Sequence, residues 1–172
     1  PAAEDYGFIH YSRLIFPASD KSFVRLREQS GRDDTLTLSG SGQKVHIVAR
    51  RIHPKLSDFS GISKDNFTAR LYQGKPFYGT DNTIDKSVFA LERITLNGQT
   101  VPAAELQGLF SPDFAATARD SQVYDRWEAY YHRSDKTLYL FSRQGSGAGS
   151  FDVCFIFKDG KFQRRYLWNA AL

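Results

Sequence analysis

Strict alternation of side-chain character is the feature that most restricts this chain. Residues 122–168 run QVYDRWEAYYHR, SDK, TLYLFSRQ, GSGAGS, FDVCFIFK, DG, KFQRRYLW. The long pieces are rich in aromatic and β-branched residues, the types that fit a pleated, half-buried surface. Short strings of Gly, Ser and Asp separate them and mark turns. The segment therefore reads as four short antiparallel strands, with Asp159 and Gly160 as the last two-residue hairpin turn. Period-two geometry puts Phe151, Val153, Phe155 and Phe157 on one face, with Asp152, Cys154, Ile156 and Lys158 on the other. It likewise groups Phe162, Arg164, Tyr166 and Trp168 against Lys161, Gln163, Arg165 and Leu167.

The same pattern recurs upstream. Residues 7–16 (GFIHYSRLIF) read as a first strand ended by Pro17. Residues 22–28 alternate, with Val24 and Leu26 on one side, and QSGRDD reads as a turn. TLTLS places Leu36 and Leu38 inward, and KVHIVARRI places Val45, Ile47 and Ala49 on a common face. FTARLYQ and SVFALERITL read as further strands, and Asn97 with Gly98 is a strong hairpin signal. Only residues 100–120 have helical character. Pro102 and Pro112 sit where a first-turn proline is tolerated, so two short helices are expected, VPAAELQGLF and PDFAATARD, broken at 108–112.

About ten strands and two short helices predict a mainly β (α+β) fold: antiparallel sheets forming a sandwich or open barrel, with a two-helix insert near 102–119. At 172 residues the chain suits a single domain, 1–172. Fourteen Phe, nine Tyr and two Trp supply its core, since each buried aromatic removes roughly 150–250 Å² from water.

Several classes of function are disfavoured. The single cysteine, Cys154, excludes an internal disulfide. It lies mid-strand beside Ile156, without the helix start or cationic surroundings that activate a thiol. None of His10, His46, His53 and His132 is spaced to share a metal from one element, and no metal or cofactor is expected. Asp81 and Asp85 lie in an oxygen-rich loop that lacks the regular spacing of a calcium site. Asp125 and Glu128 fall on opposite faces of one strand, the wrong arrangement for paired acid–base work. There is no GxSxG elbow. SGSGQ and QGSGAGS join strands rather than opening helices, so neither offers a phosphate cradle.

A net charge of +4 is an ordinary value for solubility. The basic residues are dispersed along the chain, which argues against nucleic acid as a partner, although arginine and aromatic side chains do interleave near the carboxyl end. No run approaches the ~20 apolar residues of a membrane-spanning helix. The opening PAAED and the absence of Met fit an exported chain, periplasmic or secreted; a cytoplasmic location is the alternative.

The expected function is that of a non-enzymatic protein-binding module, an inhibitor or immunity protein that blocks another protein, an enzyme, through surface loops on a rigid sheet. Two long irregular segments, HPKLSDFSGISKDN and GKPFYGTDNTID, and the glycine-rich hairpin supply the candidate contacts: Ser57, Asp58, Phe59, Phe77, Tyr78, Ser146 and Ser150. Leu56, Phe59 and Ile62 are expected to tuck the first loop onto the body. The alternatives are a hydrolase built from His132, Asp125 and Tyr130 on separate strands, or a barrel with an aromatic-lined ligand cavity. The sequence leaves the oligomeric state open.

Overall fold

The computed structural model describes residues 20–32, 34–112, 114, 127–144 and 149–169. Twelve strands are present among them: β1 (Phe23–Arg25), β2 (Arg27–Arg32), β3 (Thr35–Gly40), β4 (Gln43–Ile52), β5 (Phe59–Ser60), β6 (Leu71–Tyr72), β7 (Val88–Leu96), β8 (Gln99–Thr100), β9 (Trp127–His132), β10 (Thr137–Gln144), β11 (Phe151–Lys158) and β12 (Lys161–Asn169). They form two five-stranded antiparallel sheets, ordered β1-β9-β10-β11-β12 and β2-β3-β4-β7-β8, with a separate β5–β6 ribbon. The sheets pack as a sandwich. Leu36, Leu38, Val45, Ile47, Ile94 and Leu96 from the second sheet share one core with Trp127, Leu138, Leu140, Val153, Phe155 and Phe157 from the first.

The strands follow the alternation closely where hairpins are tight. Val45, Ile47 and Ala49 are all buried, as are Leu36 and Leu38. Asn97 and Gly98 have φ of 49° and 85°, and Asp159 and Gly160 have φ of 51° and 74°. Two consecutive positive φ values are the signature of the type I′ turn, whose twist matches that of the flanking strands.

Departures from alternation have local causes. Residues 22–28 are not one strand: the chain changes sheet at Leu26. β1 pairs with β9 and β2 with β3, while the buried Leu26 sends its amide to the Ala129 carbonyl at 2.8 Å. QSGRDD does not turn as expected. β2 runs through Arg32, with a bulge between Glu28 and Ser30, because β3 offers it a ladder. FTARLYQ keeps strand geometry only at Leu71 and Tyr72.

The expected first helix is a single 3₁₀ turn, Ala103–Glu105. Val101 is still tied to the Ile94 carbonyl at 2.9 Å, and Leu91 and Ser111 donate to the Leu109 and Phe89 carbonyls. These backbone bonds to β7 hold the segment against the sheet and compete with helical pairing. Apart from Pro112 and Phe114, the expected second helix lies outside the described residues, as does the expected strand at 7–16.

One irregularity matters most. β11 and β12 pair with a shift between Ile156 and Phe157: Phe157 faces Phe162, but Ile156 faces Arg164. Gln163 is the extra residue of a bulge, and a bulge of one residue reverses facing beyond it. Phe162 therefore packs inward on Phe157, edge to face at 5.9 Å, and the inward set continues with Arg165 and Leu167. The expected grouping of Phe162 with Arg164, Tyr166 and Trp168 is corrected accordingly.

Candidate functional site

A second, smaller core lies under the long loops. Phe59, Ala69, Tyr72, Phe77, Val88 and Phe110 are buried together, with Ile52, Ile62, Ile84 and Ala90 packed on them. Four rings make a closed set: Phe59–Tyr72 at 5.3 Å, Tyr72–Phe110 at 5.0 Å, Phe110–Phe77 at 5.8 Å and Phe77–Phe59 at 5.6 Å. Such aromatic pairs contribute about 0.5–1.5 kcal/mol each beyond their area. Their position unites the two irregular segments into one structured end of the molecule.

The glycine-rich connection is fastened to the same end. Gly79 donates to the Gly149 carbonyl at 2.9 Å, and the Gly149 amide donates to the Asp81 carboxylate. The Tyr78 ring meets Phe151 at 5.9 Å, and the Tyr78 backbone pairs with Gly108 and Phe110. The three loops selected from the sequence are thus drawn together, but the named residues play different parts. Phe59 and Phe77 are buried and serve as packing, not contact, residues. Asp58 accepts from the Lys55 amide at 2.8 Å and closes the 3₁₀ turn Leu56–Asp58. Ser57 is exposed, Tyr78 and Ser150 are half-buried, and Ser146 lies outside the described residues. Ile62 packs on the second core as expected, whereas Leu56 remains 49% exposed.

The most prominent side chain at this end is Phe67, 62% exposed. Its backbone is held firmly. The Phe67 amide lies 3.2 Å from both Ser63 Oγ and Asp65 Oδ1, and the Thr68 amide donates to Ser63 Oγ at 3.0 Å. Ser63 and Thr68 also exchange a backbone bond at 2.9 Å, and Asn66, at φ 56°, closes the turn. The Ile84 amide donates to the Phe67 carbonyl at 2.9 Å, anchoring the tip to the neighbouring loop. Hydrogen bonds from the Ser63 hydroxyl and the Phe67 amide hold the Asp65 carboxyl below the usual carboxylate range. Because Phe67 falls inside FTARLYQ, alternation assigns it to a strand. The only sequence signal for its actual place is the preceding SKDN, a turn-forming string rich in side-chain acceptors.

Two of the three residues named for a hydrolase site lie among the described residues. Tyr130 and His132 share the outer face of β9, but Tyr130 donates to Glu128 Oε2 at 3.0 Å, and Asp125 lies outside the described residues. His132 Nδ1 meets Asp135 at 2.8 Å, and Ser134 Oγ lies 3.3 Å from Nε2 and 3.5 Å from Nδ1. A hydroxyl almost equidistant from both ring nitrogens is not in line with either lone pair, so the ring is badly placed to activate it. No group of three or more metal-binding side chains occurs among the described residues. Asp81 accepts from the Gly149 backbone amide. No helix among these residues is long and apolar enough to cross a membrane.

At the opposite hairpins an open cleft of about 330 Å³ is lined by residues that include Leu96, Tyr131, Leu138, Gln43, Asn97 and Lys136. Its amides satisfy one another: Asn97 Nδ2 donates to Gln43 Oε1 at 3.0 Å, while Asn97 Oδ1 accepts from the Lys44 amide. Comparison with family models, curated proteins and solved structures found no match to the chain.

Proposed function

We propose that this chain is a non-enzymatic protein-binding module that engages its partner through the Phe67 end, in the manner of an inhibitor or immunity protein occupying a cleft. The observation that carries this reading is the contrast at Phe67. The side chain is 62% exposed while the backbone beneath it is tied by several hydrogen bonds to Ser63, Asp65 and Ile84. A fixed, exposed aromatic loses little conformational freedom on binding and gives up its water to a pocket, which are the properties of an interface anchor. Leu56 and Ser57, on the turn that leads into β5, extend the accessible surface of this loop.

The test compares immobilised parent protein with Phe67→Ala against native cell extract at high salt. The expected result is one stoichiometric partner, identified by mass spectrometry, that the parent retains and the variant loses. With the purified partner, the loss should be about 2 kcal/mol or more. Equal retention by both proteins, or no retained protein at all, refutes the proposal.

A further inference from the structure

We infer a second, independent site: the outer edge of the first sheet binds single-stranded nucleic acid, without sequence preference, along Lys158, Lys161, Arg164, Tyr166 and Trp168. The inference begins with the bulge at Gln163. Lys158 and Lys161 face each other across the last hairpin, and Ile156 faces Arg164 beyond the bulge. Period-two geometry on each side then points Lys158, Lys161, Arg164, Tyr166 and Trp168 to the outer face. Basic residues that are dispersed in sequence become a short row of three cations followed by two rings.

Those rings are accessible. Tyr166 is 48% and Trp168 46% exposed, and among the described residues they are the exposed large apolar side chains of the sheets, Leu56 and Phe67 being on loops. Successive outward positions on a strand lie about 6.5–7 Å apart. Rings at that spacing offer flat faces to consecutive unstacked bases. β12 is the last strand of its sheet among the described residues, and Lys158, Lys161 and Arg164 are exposed like the two rings.

The charges are available as well. Among the described residues no carboxylate lies within ion-pair distance of Lys158, Lys161 or Arg164. The acids nearby are engaged elsewhere: Arg143 holds Asp152 through two bonds of 2.8 and 3.1 Å, and Asp159 faces Lys136 at 4.0 Å. Arg164 Nη1 donates to the Tyr166 hydroxyl at 3.0 Å, with its guanidinium 5.7 Å from the ring centre. That contact places a cation beside a stacking surface, as a base next to its phosphate requires. A base-free polyanion would leave Tyr166 and Trp168 unused, and a duplex keeps its bases inside. The combination favours a single strand.

The chain's two tryptophans make the test direct. Trp127 is buried and Trp168 is not, so a ligand-induced change in emission reports Trp168. The parent is titrated with oligothymidylate, with the same strand in a duplex, and with heparin as a base-free polyanion. Quenching by the single strand alone is expected, with a binding constant that falls as salt rises. By anisotropy of a labelled strand, Tyr166→Ala and Trp168→Ala should each weaken binding about tenfold. Lys158→Gln, Lys161→Gln and Arg164→Gln should each lower the salt slope by about 0.7. Unchanged melting temperatures exclude unfolding as the cause, and Phe67→Ala should bind the strand like the parent. Absence of oligonucleotide binding at low salt overturns the proposal. So does heparin binding as tight as the strand with Trp168→Ala unaffected.

Discussion

The Gly79 amide donates to the Gly149 carbonyl at 2.9 Å, and this bond joins two loops that are 70 positions apart in the chain. Both residues must be glycine. At Gly79, φ is 92° and an added Cβ would lie 2.2 Å from the Phe110 carbonyl oxygen; at Gly149 it would lie 2.3 Å from the Asp81 amide nitrogen. The contacting atoms are backbone and cannot rotate away. Gly79→Ala should therefore destabilise by about 3 kcal/mol, combining left-handed strain with displacement of the Phe110 backbone. Gly74→Ala is the control: φ is 77°, but nothing lies within 4 Å of the added Cβ. It should cost only about 1 kcal/mol. Equal losses in urea unfolding would show that the Gly79 contact is not tight.

Acid should loosen the Phe67 tip before it unfolds the sheets. The Asp65 carboxyl is held below its ordinary value by the Ser63 hydroxyl and the Phe67 amide. A folded-state value that is depressed means the carboxylate form stabilises the loop. That contribution is complete above the ordinary carboxylate value of about 3.9 and is lost as pH falls through the lower folded value. Hydrogen exchange at the Phe67 and Thr68 amides, corrected for intrinsic rates, should lose protection over that range. In Asp65→Asn the amides should be less protected at neutral pH and show no such acid transition.

Trp127 is a core residue by its surroundings. It lies between Phe114 and Phe155, with ring centres at 6.3 and 6.5 Å. Trp127→Ala should destabilise by about 3–5 kcal/mol, measured by chemical unfolding. The indole N–H has no hydrogen-bond partner among the described residues. Since an unpaired buried donor costs about 1–3 kcal/mol, Trp127→Phe should lose less than half as much as the alanine variant.

Cys154 should be chemically silent. It is buried, opposite Phe141 and Tyr166 in the ladder, and burial pushes its thiol up to about 12. At mildly alkaline pH a thiol-specific disulfide reagent should modify it only at the rate of unfolding, because the thiolate is the nucleophile. Fast labelling of the folded protein would contradict this assignment.

Much of the β architecture is legible without coordinates. Leu36 and Leu38, or Val45, Ile47 and Ala49, declare their buried face because alternation is a property of the backbone of a single strand. Asn97 with Gly98 and Asp159 with Gly160 declare their hairpins because two adjacent positive φ values are a local demand. The candidate site is less legible. The three loops chosen from composition do gather at one end, yet Phe59 and Phe77 turn out to be its foundation and Phe67 its exposed tip. A phenylalanine in an irregular loop carries no mark of which way it points, since that depends on where other loops leave space.

What the sequence alone determined about this protein is therefore its largely β character and the hairpin turns at Asn97–Gly98 and Asp159–Gly160, which are written in neighbours a few residues apart. It took the folded arrangement to fix that Leu26 passes the chain between sheets, that four distant rings close a second core, and that Gln163 bulges to turn Arg164, Tyr166 and Trp168 outward. The first two depend on segments far away in the chain, and the third on the register of the last hairpin, where one extra residue in a ladder reverses every side chain beyond it.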